Sequence, residues 1–161
     1  MAMEGIRTLL KTNSRSETVA LGRGLGHLLR PGDVVAMVGE LGTGKTTLAK
    51  GIAVGLGVKS ENEVKSPTYV LMHIYKGDCP IYHLDLFRLE TGADVENIGW
   101  DDLLDGNGVV LIEWAKKIGG YLPKNYLEVE IKAAGETGRE FFFQPRGERF
   151  EHLMKEMAGE K

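Results

Sequence analysis

An α/β fold is predicted, with a mixed, mostly parallel sheet flanked by helices and carrying antiparallel hairpin additions. Three features predict it. Residues 33–56 read as strand, glycine-rich turn and helix, the alternation that builds a parallel core. Residues 69–86 and 127–144 each read as a hairpin. Residues 109–113 (VVLIE) form a fully apolar strand that ends in an acid.

The elements follow in order. Residues 6–10 predict a short first strand. Ser14 and Glu17 form a capping-box pattern, with Ser14 as N-cap and Glu17 at the third helical position. The helix after it places Leu21, Leu25, Leu28 and Leu29 on one face, and Pro31 and Gly32 stop it. Residues 33–38 (DVVAMV) are a buried strand. Residues 46–56 are a helix with Leu48, Ala49, Ile52, Ala53 and Leu56 on one face, ended by Gly55 and Gly57. Residues 57–68 are a loop closing on Ser66, Pro67 and Thr68. Strands at 69–75 and 81–86 join through Lys76, Gly77 and Asp78. Residues 94–104 hold short helical or turn segments interrupted at Gly99. The second hairpin pairs 127–133 with 141–144 around 135–138. A last helix at 148–157 has Phe150, Leu153, Met154 and Met157 at helical spacing.

At 161 residues the chain is expected to form a single domain, 1–161. The net charge of −3 and the lack of any Lys/Arg run argue against independent, tight nucleic-acid binding, which is mostly phosphate neutralisation. Cys79 is the only cysteine, which rules out an intramolecular disulfide and a cysteine zinc site and suits a reducing cytoplasm. His27, His73 and His152 lack metal-ligand spacing. No apolar run approaches membrane-spanning length, so no membrane association is expected.

Residues 39–46 (GELGTGKT) match G-x-x-x-x-G-K-[ST], the loop that holds nucleoside triphosphate phosphates, and the predicted fold is therefore of the P-loop NTPase type. The loop glycines bring backbone N–H groups close to phosphate oxygens. The helix behind points its positive end at the anion. Glu40, Leu41, Gly42, Thr43, Gly44, Lys45, Thr46 and Thr47 are thus the candidate nucleotide-binding residues. Lys45 bridges the β- and γ-phosphates, and the Thr46 hydroxyl is a ligand of Mg²⁺, which needs few protein oxygens.

Such a site needs a further acid at the end of a neighbouring strand. Glu113 ends residues 109–112, and Asp85 ends the strand IYHLD at 81–85. One holds the metal, directly or through water, while the other orients the attacking water or reports on the γ-phosphate. Thr68 is either a γ-phosphate sensor or part of an ordinary Ser-Pro turn. His83, two residues before Asp85, either orients that acid or is a hydrogen-bonded core histidine. Arg88 either contacts phosphate or a partner, or makes a surface ion pair. Trp114 either packs in the core or flanks the nucleotide, pointing away from Glu113 if the strand continues.

Taken together, GELGTGKTT at 39–47, KSPTY at 65–69, YHLDLFR at 82–88, EW at 113–114 and the pair Leu122 and Pro123 resemble the TsaE (YjeE) family over about residues 14–133. Phe87 stands where that family often has Tyr. The resemblance implies a cytoplasmic, Mg²⁺-dependent ATP hydrolase of bacterial tRNA modification. It implies work with the TsaD and TsaB proteins, which transfer a threonylcarbamoyl group to the adenosine next to the anticodon of ANN-decoding tRNAs. The tRNA is then met only through that complex. By motif, Lys45 and Thr46 bind phosphates and Mg²⁺, and Thr68 is switch-like. Asp85 is catalytic or metal-linked, Glu113 is metal-linked, and Trp114 lies near the nucleotide.

The residues alone leave two alternatives, a small-molecule kinase and a GTP-dependent switch. The chain has little room for an acceptor domain and lid, and its arginines after Glu113 come late, at Arg139, Arg146 and Arg149. No Asn-Lys-x-Asp tetrapeptide is present to read guanine, so ATP is the expected nucleotide.

Overall fold

Strands form where β-branched and aromatic residues run, and seven of them make one sheet in the computed structural model, which describes residues 7–40, 42–64 and 71–159. They are β1 (Thr8–Thr12), β2 (Val34–Val38), β3 (Met72–Lys76), β4 (Pro80–Asp85), β5 (Val109–Glu113), β6 (Tyr126–Ala134) and β7 (Gly138–Arg146). Their order across the sheet is β1-β7-β6-β2-β5-β4-β3. The four middle strands β6, β2, β5 and β4 run parallel. β3 pairs antiparallel with β4 at one edge, and β7 and β1 extend the other edge antiparallel. This is the expected mixed sheet with a parallel core.

The period of two sorts side chains to the two faces. Val35 and Met37 of β2 and Val109 and Leu111 of β5 face one core, with Leu48 and Ile52, Leu25, and Phe150 and Leu153. Those helical residues belong to α2 (Lys45–Gly55), α1 (Arg15–Leu28) and α4 (Glu148–Met157). Val34, Ala36, Val110 and Ile112 face the other core, covered by Val95, Trp100, Leu103, Ala115 and Ile118 from short helical segments that include α3 (Trp100–Leu103).

Several boundaries differ from expectation. β1 is later than 6–10 because its pairing with β7 runs from Thr8 opposite Phe143 to Thr12 opposite Arg139. β7 is longer than 141–144 and contains Pro145. That residue lies past the end of β1, so its missing N–H removes no bond to that strand. Ser14 caps α1 by accepting from Glu17 N (3.1 Å), but Glu17 returns its bond to Asn13 N (3.0 Å) rather than to Ser14. Two 3-10 segments were not foreseen, Glu61–Glu63 in the loop after α2 and Ala115–Tyr121 after β5. Expected strand positions 69–70 and the turn at 66–68 lie outside the described residues.

Two contacts hold the helical layer. α1 and α2 meet through glycine: Gly22 and Gly26 of one face Gly51 and Gly55 of the other, and a Cβ at any of the four would clash with backbone. α4 is tied down by Arg149, which donates Nε to Asp33 Oδ1 (3.2 Å) and Nη2 to Asp33 Oδ2 (2.8 Å) and to Leu28 O (2.8 Å). Asp33 is buried and also accepts from Arg30 N at 2.7 Å. Arg149→Ala leaves that buried carboxylate without its ion pair, keeping the bond from Arg30 N, and is expected to cost about 2 kcal/mol. A lower urea midpoint with unchanged slope is the readout; an unchanged midpoint would show that the tie contributes nothing.

Candidate functional site

The glycine-rich loop leaves the C-terminal end of β2 and enters α2. Gly42 (φ +79°) and Gly44 (φ +109°) take left-handed backbone that other residues adopt at a cost. Gly44 is the helix N-cap and no side chain caps the first turn, so the early amides of α2 stay open to a ligand. A cleft of about 600 Å³ opens here, lined by loop residues Gly42, Gly44, Lys45, Thr46 and Thr47.

Parallel pairing brings the two acids together. Asp85 and Glu113 end neighbouring strands β4 and β5 and are register partners; Met37 of β2 lies on the other side of Glu113. Both acids are buried. The Thr46 hydroxyl donates to Glu113 Oε1 at 2.9 Å, with Oε2 at 3.0 Å. Asp85 Oδ1 accepts from Phe87 N at 2.9 Å.

His83 also meets Glu113, Nε2 to Oε2 at 2.6 Å, and it is fully buried. The histidine therefore positions Glu113 and not Asp85. The register places it there: His83 lies opposite Leu111, two residues before Glu113 and so on the same sheet face. The other ring nitrogen, Nδ1, is buried and has no hydrogen-bond partner.

Lys45 is 4% exposed. Its Nζ donates to Gly39 O (2.7 Å) and Glu40 O (2.8 Å), and it sits 4.0 Å from the centroid of the Trp114 ring. Burial pushes the ammonium below the ordinary lysine range, opposed by the carboxylates of Glu113, Asp85 and Glu40.

The strand does not continue into Trp114. That residue adopts φ +62°, which turns its ring toward the loop, where it packs on Phe87 at 5.0 Å. Lys117 Nζ donates to Phe87 O and, at 3.3 Å, to Leu89 O, fixing the segment under that pair. Phe87 itself is 42% exposed.

Of the residues singled out by sequence, Gly42, Gly44, Lys45, Thr46, Thr47, Asp85, Glu113, Trp114 and Arg88 all line this cleft. Thr43 is buried beneath it, donating its hydroxyl to Glu40 O at 2.9 Å. Glu40 is exposed. Leu41 and Thr68 lie outside the described residues. Sequence reasoning missed the far wall, formed by Arg15 and Thr18 of α1 and by Glu136, Thr137 and Arg139 at the β6–β7 turn. No local pattern marks these residues; only the sheet order brings them to the loop.

A family model described as threonylcarbamoyl adenosine biosynthesis protein TsaE matches residues 12–141. A Bacillus subtilis (strain 168) protein named tRNA threonylcarbamoyladenosine biosynthesis protein TsaE is 40% identical over 149 residues, covering 92% of each chain. A Treponema pallidum (strain Nichols) protein of the same name is 35% identical over 129 residues, covering 80% of this chain and 94% of its own. Among solved structures, the crystal structure of Bacillus subtilis YdiB superposes with a TM-score of 0.81 at 33% identity, covering 98% of both chains.

Proposed function

The chain belongs to the TsaE family of threonylcarbamoyl adenosine biosynthesis proteins, and on that premise we propose that it is a cytoplasmic, Mg²⁺-dependent ATPase. Its turnover supports the TsaB–TsaD complex in forming threonylcarbamoyladenosine next to the anticodon of ANN-decoding tRNAs. It meets tRNA only through that complex. Among the described residues no helix is long and apolar enough to cross a membrane.

The observation that carries the reading is the Thr46–Glu113 contact beneath the open amides of α2. Hydroxyl and carboxylate oxygens meet where a triphosphate lying against those amides would bring its cation. Thr46, Glu113 and Asp85 are the residues that would hold Mg²⁺, a hard ion that favours such oxygens. Among the described residues no group of three or more His, Cys, Asp or Glu could cage a metal alone. Held by these residues, Mg²⁺ would supply charge neutralisation for phosphoryl transfer. Lys45 exchanges its loop carbonyls for phosphate oxygens. Glu113 is held in place by His83 and Thr46, and Asp85 orients the attacking water. Thr68 serves as the switch-like residue.

The test is ATP turnover by the purified chain, alone and with the TsaB–TsaD pair and tRNA, with Lys45→Ala as the blank. Turnover should rise with the pair and vanish in the blank. Turnover indifferent to the pair would leave an ATPase without the proposed coupling. Glu113→Gln and Asp85→Asn, which keep the side-chain shape, are each expected to lower turnover about a hundredfold. Each should move the thermal midpoint by less than about 5 °C. A collapse of the midpoint would make that acid structural.

A further inference from the structure

Arg139 stands at the start of β7, opposite Thr12 of β1 and Ala133 of β6. Its side chain leaves the sheet and reaches the glycine-rich loop, 96 residues earlier in the chain. Nε donates to Thr43 O at 2.8 Å, and Nη2 lies 3.5 Å from Gly42 O. Nη1 donates to Gly138 O at 2.6 Å and lies 3.4 Å from Glu136 O. One edge of the guanidinium is thus fixed by the turn that carries it, and the other edge is presented to the loop. Of the two contacts with the loop, the Nε bond is the shorter and stronger. The planar fork suits this double grip, which an ammonium cannot reproduce.

Peptide planarity turns that grip into a statement about an amide. In a trans peptide the C=O and N–H point in opposite directions. The Thr43 carbonyl and the Gly44 N–H belong to one peptide unit. Drawing the oxygen toward Arg139 therefore aims the Gly44 N–H to the opposite side of the loop. This is the unit most in need of a brace, because Gly44 is left-handed and glycine resists a peptide flip weakly. The Thr43 N–H is turned back on Glu40 O at 3.3 Å.

We propose that Arg139 is a positioning residue of the phosphate site, holding the Thr43 carbonyl so that the Gly44 amide is aimed at a bound phosphate. This rests on the nucleotide reading above. The loop is then pre-organised from the antiparallel half of the sheet, and a phosphate that arrives meets a donor already in place.

The test uses the full chain with Arg139→Ala and Arg139→Lys, calorimetric titration with ATP and with ADP, and thermal unfolding without nucleotide. Arg139→Ala is expected to weaken both nucleotides about tenfold or more, the worth of one charge-assisted hydrogen bond. The unfolding midpoint should not move. Arg139→Lys should stay weak despite its charge, and millimolar guanidinium should restore part of the alanine variant's affinity. The Gly44 amide resonance should shift on ADP binding in the wild type and not in Arg139→Ala. Unchanged affinity in Arg139→Ala overturns the assignment. So does a loss of affinity that only follows a falling midpoint. If the wild type binds neither nucleotide, the nucleotide reading fails and this assignment with it; if the wild type binds and Arg139→Ala binds equally, only the assignment fails.

Discussion

Lys45→Ala is expected to abolish ATP turnover, by about a thousandfold, and to leave the protein folded. The ammonium has three donors. In the structure two of them go to Gly39 O and Glu40 O, and the Trp114 ring covers the group. It is a cation held ready inside its own loop, buried far enough that desolvation pulls its pKa down. A triphosphate offers oxygens that outbid neutral carbonyls, since a bond between two charged groups is roughly twice as strong. Alanine leaves the β- and γ-phosphates without that charge as it moves to the leaving oxygen. The fold loses two hydrogen bonds but also loses the burial of a charge, so the net change in stability is expected within about 2 kcal/mol. Turnover at the wild-type level in a folded Lys45→Ala variant would remove the loop from the chemistry altogether.

Gly51→Val is expected to leave no folded protein. A Cβ at Gly51 would stand 2.3 Å from Val19 O and 3.0 Å from the Gly22 Cα. The neighbours offer no relief, since a Cβ at Gly26 would meet Ile52 O at 2.3 Å and one at Gly55 would meet Arg23 O at 2.3 Å. These are backbone atoms in two helices, and they yield only if the helices separate. Overpacking a core costs about 1–3 kcal/mol when side chains can adjust. Here they cannot, and a loss above about 4 kcal/mol is expected for valine. Gly24→Ala is the control. It lies in the same helix α1 with nothing within 4 Å of its Cβ, and it is expected to stabilise by about 0.5–1 kcal/mol. Circular dichroism of the two purified variants separates the outcomes. A folded Gly51→Val would mean the helices tolerate a wider spacing than their backbone contact suggests.

What was legible in the sequence has a common cause. β2 and β5 are buried on both faces and read as unbroken apolar runs. α4 has a narrow apolar stripe and spans the predicted 148–157. Lys45, Thr46, Asp85 and Glu113 were singled out because loop and strand-end patterns are local. The remainder depended on partners distant in sequence. His83 was placed beside Asp85 by its spacing of two, yet only the β4–β5 register shows that its ring reaches Glu113. Trp114 was expected to point away from Glu113 only if the strand continued, and its left-handed backbone shows that the strand stops at Glu113. Arg139 counted as one late arginine until the hairpin was laid beside the loop.

The sheet order also sets a timetable for synthesis. β2 is flanked by β5 and β6, both made long after it. A nascent chain that ends before residue 109 already holds the whole glycine-rich loop and α2, but neither neighbour of the strand that carries them. Both edges of β2 then stand open as pairing templates. Parallel pairings of this range form slowly, because the intervening chain must be ordered first. A ribosome stalled in that interval therefore displays the glycine-rich loop without Glu113 and without Arg139. The site is complete only after residues 109–146 have emerged, since β5, β6 and β7 all lie in that stretch.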